Sequence, residues 1–225
     1  MKYRKLITLF FLFFAFTARA QVKDAGLWTT LSVEKDFSKK ISMSIDEEMR
    51  LIENCSRIDL FYTNFGMTYK FNKQIRVGFT YRLTEKKQDN NMFSIRNRLM
   101  LDLTYKRKFY GFIFQYRSRI QSEIRNYYSS ETGKIPSWDW RNKFEVKYDK
   151  DQFVPYAGTE LFLQLNDPND PETNRMMPQI RCFAGMDYKI NQNNTLGMYG
   201  LINKEINVSN PVTTYIFGIQ YAIQF

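Results

Sequence analysis

Charged residues at alternate positions are the groups in this sequence with the clearest chemical potential. Arg96 and Arg98 stand two positions apart, as do Arg117 and Arg119, and acidic residues recur at the same spacing elsewhere. Side chains two positions apart on a strand project to the same face, so each pair brings two guanidinium groups together. Such groups attract anions, whereas carboxylates placed among them form ion pairs.

The chain contains no histidine. This excludes Ser-His-Asp activation and general-base catalysis by an imidazole. The sequence also lacks a Cys-X-X-Cys pair, a cluster with metal-ligand spacing and a glycine-rich phosphate loop. We therefore expect a protein that is not an enzyme, with no catalytic residue, cofactor or metal. A hydrolase that uses carboxylates such as Glu145 and Glu160 ranks last among the alternatives.

Polar and apolar residues alternate with a period of two along most of the chain, as in the segment 75–84, which reads IRVGFTYRLT. This period is typical of β-strands whose two faces meet different environments, and no long amphipathic helix is found, so we predict an all-β chain. The predicted strands are 25–37, 40–52, 57–71, 74–86, 93–106, 109–124, 138–149, 153–165, 178–190, 195–207 and 212–225.

The predicted strands are long, and short and long connections alternate between them, with a tight turn expected at Arg107-Lys108. Globular strands average about 5–6 residues, whereas a tilted strand needs about 9–11 residues to cross a bilayer. Short turns at one end and long loops at the other are typical of outer-membrane barrels. We therefore predict that residues 21–225 form a transmembrane antiparallel up-and-down β-barrel.

The number of strands is open between ten and twelve. Bacterial barrels have an even number, but eleven segments are found. Either residues 21–27 help to form a further short strand, or segment 25–37 lies in the lumen of a ten-stranded barrel. Twelve strands are preferred.

Aromatic residues make up 17% of the chain and gather near the predicted strand ends. Amphipathic rings favour the headgroup level of a bilayer, which predicts two aromatic girdles. The expected girdle residues are Phe37, Tyr69, Phe71, Tyr105, Phe109, Tyr110, Tyr148, Phe153 and Tyr188 beside the short turns, and Phe61, Tyr62, Phe93, Trp138, Trp140 and Tyr215 beside the long loops.

Residues 1–20 have the pattern of a cleaved signal peptide. A basic start is followed by an apolar run over 6–16 and by Ala18-Arg19-Ala20, a small-X-small cleavage site. The run is too short for a membrane-spanning helix, which needs about 20 residues. We therefore expect export to the cell outer membrane. Cys55 and Cys182 either pair or remain free thiols.

The last predicted strand is apolar at alternate positions and ends in an aromatic residue. This pattern resembles the signal by which the barrel assembly machinery recognises outer-membrane barrels, so that machinery and outer-membrane lipid are the expected partners. Charges alternate with apolar residues instead of forming a patch, so nucleic acid is not expected, and a monomer is preferred over an oligomer. The residues that carry the expected signal are Phe217, Ile219, Tyr221, Ile223 and Phe225.

Three further features resemble a family of uncharacterised outer-membrane β-barrels known only as a domain of unknown function. They are the segment 24–28 (DAGLW), the acidic stretch 46–48 followed by Arg50, and the pair Arg96 and Arg98. The resemblance covers residues 21–225 and implies a barrel of the Gram-negative envelope. It implies no activity.

The charged faces of the strands are expected to point into the lumen. A salt-bridged plug in a narrow interior, with Glu145 and Glu160 capping arginines from across the barrel, predicts a structural, envelope or surface-contact role. Since arginine outnumbers acid, the alternative is a narrow porin-like channel for small anionic solutes. The expected lumen network comprises Asp46, Glu48, Arg50, Arg76, Arg82, Arg96, Arg98, Asp102, Arg117, Arg119, Glu123, Arg141, Glu145 and Glu160, with Lys143, Arg181 and Asp187 on the same faces.

Overall fold

The computed structural model describes residues 23–88, 92–126, 135–168, 176–208 and 211–225. The expected signal peptide, residues 1–20, lies outside this part of the chain. Eleven strands are described, and every bound lies within three residues of its prediction. They are β1 (Lys23–Asp36), β2 (Ile41–Ile52), β3 (Arg57–Lys70), β4 (Ile75–Lys87), β5 (Phe93–Phe109), β6 (Phe112–Arg125), β7 (Ser137–Tyr148), β8 (Phe153–Asn166), β9 (Gln179–Lys189), β10 (Asn194–Glu205) and β11 (Thr213–Gln224). None of the described segments is a helix that could cross a membrane.

The strands form one closed barrel, in which consecutive strands pair antiparallel and β1 pairs parallel with β11. In a closed ring of up-and-down strands with an odd number, the first and last strands must run in the same direction. The preference for twelve strands is therefore wrong. Segment 23–36 is a wall strand and not a luminal segment, because β1 is paired from Lys23 with Thr213 to Glu34 with Gln224.

The hairpin between β5 and β6 turns later than predicted. Phe109 pairs with Phe112, and the two residues between them, Tyr110 and Gly111, have φ values of 45° and 84°. Positive φ at both positions defines a type I′ turn, whose twist suits a hairpin, and glycine adopts this conformation without a Cβ penalty. Arg107, expected in the turn, belongs to β5.

The two faces of the barrel wall differ sharply. Leu99, Leu101 and Leu103 point outward and are 49%, 55% and 52% exposed, whereas inward-facing Met100 is only 2% exposed. Most large apolar side chains on the other strands are also exposed on the outside, while the buried side chains are mainly polar or charged. This is the reverse of the usual arrangement in globular proteins.

One aromatic residue departs from the expected girdles. Tyr62 is 7% exposed and faces the interior, because it lies directly opposite the inward-facing Glu48. Trp138 and Trp140 are 42% and 39% exposed on the outer surface.

Cys55 and Cys182 are free and exposed.

Candidate functional site: the charged barrel interior

The barrel encloses a cavity of about 1120 Å³. Its lining extends from Lys106 and Gln224, near the short turns, to Gln164 and Val208, near the long loops. Eleven Lys and Arg residues line it, against seven Asp and Glu residues. The described side chains therefore leave a polar interior with an excess of positive charge, instead of filling it.

Nine of the fourteen predicted network residues line this cavity, and five do not. The nine are Glu48, Arg50, Arg82, Arg98, Arg117, Arg119, Arg141, Glu145 and Glu160. The other five, on the same strand faces, are Asp46, Arg76, Arg96, Asp102 and Glu123.

Ion pairs between β5 and β6 connect neighbouring strands along the wall. Arg119 and Asp102 lie opposite each other in the strand register, and two guanidinium nitrogens of Arg119 donate to the carboxylate at 2.6 Å. Glu123 is likewise opposite Arg98, which forms an ion pair with it, and Arg96 approaches it at 3.5 Å. Residues paired in register share a face, so this pairing follows from the strand alignment.

Glu160 on β8 forms ion pairs with three arginines. Its carboxylate lies 2.7 Å from Arg117, 2.8 Å from Arg141 and 3.9 Å from Arg181, and the residue is 5% exposed. These arginines come from the nearby strands β6, β7 and β9. One buried carboxylate therefore links β8 to three other strands.

Glu145 does not cap the arginines that it was expected to cap. Its nearest cations are Lys143 at 2.7 Å and Lys147 at 3.6 Å, both on its own strand. Residues two positions apart on a strand share a face, so these lysines reach the carboxylate first. The cross-barrel role predicted for Glu145 is thus wrong.

Arginines and aromatic rings alternate along the inner wall, an arrangement that was not predicted from the sequence. Arg50 lies 3.6 Å from the Trp28 ring centroid and 5.3 Å from that of Tyr62, while Arg82 lies 3.5 Å from the Tyr62 ring. We call the whole series the arginine–aromatic belt: Arg82, Tyr62, Arg50, Trp28, Arg181, Phe162 and Arg141.

The other half of the belt continues from Trp28 across β9, β8 and β7. Arg181 lies 5.5 Å from the Trp28 ring centroid and 4.5 Å from that of Phe162, and Arg141 lies 4.4 Å from the Phe162 ring. Arg141 and Phe162 are opposite each other in register. Cations above aromatic faces attract the ring electrons, so the rings hold the guanidinium groups in place. The sequence feature that could have predicted the belt is the position of Trp28, Tyr62 and Phe162, which share the inward-facing phase of charged residues on their strands.

An apolar patch adjoins the belt on the β10–β11 side. Trp28 packs with Leu201 and Ile216, and Phe183 and Tyr199 pack against this cluster. Tyr199 lies opposite a glycine on each neighbouring strand, Gly218 and Gly185 in the register. A Cβ at either glycine would overlap Tyr199, so glycine is required for the ring to lie flat against the wall.

Gly218→Ala should therefore destabilise the barrel by about 1–3 kcal/mol, the usual cost of overpacking a filled site. The added methyl group would meet the Tyr199 ring, which also packs against the apolar cluster. Urea unfolding of the detergent-solubilised protein measures the effect. Gly200→Ala is the matched control, since a Cβ at Gly200 meets nothing within 4 Å; equal stabilities of the two variants would contradict the packing.

The strand expected to carry the assembly signal is held on both sides. Phe217 is 48% exposed on the outer surface, and Phe225, just beyond the strand, is 65% exposed. The backbone of Phe225 donates to Glu34 and accepts from Asp36, both at 3.0 Å. Ile219, Tyr221 and Ile223 share the outward phase of Phe217.

The carboxylate of Asp149, in the turn after β7, forms ion pairs with lysines of β5 and β9. Asp149 accepts a hydrogen bond from Lys189, and Lys108 approaches it at 3.4 Å. This hydrogen bond, opposed by partial burial and assisted by the charges of both lysines, lowers the pKa of Asp149 below its ordinary value. The turn thus forms ion pairs with residues at the ends of two wall strands. Across the described ranges, no group of three or more Cys, Asp or Glu side chains could hold a metal ion.

Comparison with known protein families gives a match. A family model described as a protein of unknown function (DUF2490) matches residues 25–214, which extend from β1 to the start of β11. No curated protein matches the chain.

Proposed function

This chain belongs to the DUF2490 family of proteins of unknown function, and we propose that it is an outer-membrane barrel of a Gram-negative cell whose lumen admits small anionic solutes. It acts without catalysis. The observation that carries the proposal is the cavity of about 1120 Å³, lined by eleven basic and seven acidic residues. A lumen with excess guanidinium charge attracts anions and repels cations.

The outer surface supports the membrane setting. Each of the described strands exposes large apolar side chains on the outside of the barrel, for example Phe79 at 46% and Leu101 at 55%. Exposed apolar surface of this extent is unfavourable in water but suits the hydrocarbon of a bilayer. The strands of 11 to 17 residues are long enough to cross it. Outer-membrane lipid is accordingly the main partner, and the barrel works as a monomer.

Export and insertion complete the proposal. Residues 1–20 are the cleaved signal peptide, and the alternating apolar face of β11 with Phe225 is the segment that the barrel assembly machinery reads. The exposed positions of Phe217 and Phe225 are compatible with such recognition.

A structural or surface-contact role is the second candidate. The ion pairs that join β6, β7, β8 and β9 through Glu160 favour it, because they stabilise the wall without requiring a solute.

Conductance in planar bilayers separates these two functions. With a salt gradient across the bilayer, the proposal predicts stepwise currents and a reversal potential of the sign expected for anion selectivity. Gln115→Glu, which adds negative charge to the cavity lining, should reduce that selectivity, whereas Lys73→Gln in an exposed turn should not. A correctly inserted barrel that passes no current would overturn the channel and favour the structural role.

A further inference from the structure

We infer that the arginine–aromatic belt is a binding site for a ring-shaped organic carboxylate of the sugar-acid class. The inference rests on the proposed function, because the ligand reaches the belt through the lumen. All seven belt residues line the cavity, so a solute inside the barrel meets them directly.

The first argument is uncompensated charge. Two of the four belt arginines have a carboxylate within 2.8 Å. Arg82 forms no ion pair with any described carboxylate and instead contacts Asn64 and the Tyr62 ring. Among the described carboxylates, Arg181 forms an ion pair only with Glu160, at 3.9 Å. Desolvated positive charge is unfavourable without a counter-charge, so the belt favours an anion.

The second argument is the way in which these guanidinium groups are anchored. The Nε atom of Arg82 donates to Asn64 at 2.7 Å, and that of Arg181 donates to Asn203 at 3.1 Å. The ring faces beside them fix the guanidinium planes. Planar guanidinium groups bind carboxylates through paired N–H donors, and a preorganised donor loses less entropy on binding.

The third argument concerns the rest of the ligand. Trp28 belongs both to the belt and to the apolar cluster with Leu201 and Ile216. Apolar side chains that line the cavity beside the charged donors, such as Leu201 and Phe183, suit a ring that has one apolar face and one carboxylate. An inorganic anion would interact with the guanidinium charges but not with these apolar side chains. The cavity of about 1120 Å³ is slightly larger than ordinary small-molecule sites, which span about 300–1,000 Å³, so it has room for such a ring.

Trp28 provides the test, because it is one of only three tryptophans in the chain. Trp138→Phe with Trp140→Phe leaves Trp28 as the only tryptophan. This protein, solubilised in detergent, is titrated with sodium glucuronate, with glucose and with sodium chloride at matched ionic strength. We expect glucuronate to change the Trp28 emission saturably, glucose to have little effect, and chloride to require far higher concentrations.

Arg82→Gln in the same background should weaken glucuronate binding about tenfold or more, since a hydrogen bond to a charged group is lost. Arg82→Lys keeps the charge but not the planar fork and should also weaken binding. Arg107→Gln, at an exposed position outside the cavity, should leave binding unchanged. Folding of each variant is checked by heat-modifiable migration in gels.

Equal responses to glucuronate and chloride, or binding that survives Arg82→Gln unchanged, would overturn the site. Saturable binding of glucose equal to that of glucuronate would also overturn it. The binding measurement needs no bilayer, so it is independent of conductance. Anion current without glucuronate binding removes the belt site alone, whereas glucuronate binding to a barrel that carries no current supports the site and contradicts the channel.

Discussion

Replacing Glu160 with glutamine should lower the free energy of unfolding by about 3–5 kcal/mol, the usual cost of removing one partner from a buried ion pair. The glutamine has nearly the same shape but no charge, so Arg117 and Arg141 lose a carboxylate that lies within 2.8 Å of both. Arg181 loses the one described carboxylate with which it forms an ion pair. Three guanidinium groups then repel one another on one side of the lumen.

Urea unfolding of the folded barrel in detergent, followed by far-ultraviolet circular dichroism, measures this loss. Asp151→Asn, in an exposed turn, is the matched removal of a carboxylate charge and should change stability by less than about 0.5 kcal/mol. If the two variants unfold at the same urea concentration, Glu160 does not hold the wall strands together.

Leu101→Arg should destabilise the inserted barrel by about 2–4 kcal/mol, the cost of a cationic side chain near the bilayer midplane. Leu101 lies at the middle of β5 and is 55% exposed on the outer surface. Its side chain would contact hydrocarbon, where a guanidinium group finds neither water nor a counter-charge. Unfolding in lipid vesicles, where the outer surface is covered by acyl chains, is the appropriate measurement.

Gln115→Arg is the matched control, because it introduces the same side chain on the neighbouring hairpin strand but toward the cavity, opposite Lys106 and Glu145 in register. It should cost much less than Leu101→Arg. Equal losses would contradict the assignment of the outer face to lipid, and a larger loss for Gln115→Arg would reverse it.

The positions of the strands could be predicted because the alternation of polar and apolar residues is a local property. A period of two indicates both the strand conformation and the facing of its side chains, so the sequence predicts Leu101 and Arg98 on opposite faces. The pair between Arg119 and Asp102 also follows once two adjacent strands are aligned. These features depend on few neighbours.

Closure and the belt could not be predicted in this way. The parallel pairing of β1 with β11 joins segments almost 200 positions apart, such as Leu27 and Phe217, and no local pattern encodes it. The belt depends on which individual aromatic rings face the lumen, and an aromatic cluster in the sequence does not show this. Tyr62 is adjacent to Phe61 in an aromatic cluster, so composition assigned it to the membrane girdle, whereas its register opposite Glu48 places it inside.

Fluorescence quenching in lipid vesicles tests the inside-out distribution of side chains most directly. One protein carries Trp138→Phe and Trp140→Phe, so that it retains only Trp28, which faces the interior. The other carries Trp28→Phe and retains the outward-facing Trp138 and Trp140. Lipids with brominated acyl chains should quench the outward pair and leave Trp28 unaffected, while aqueous iodide, an anion, should quench Trp28. Quenching of Trp28 by brominated lipid, with none for the outward pair, would contradict a barrel that presents its apolar face to the membrane and its charged face to the lumen.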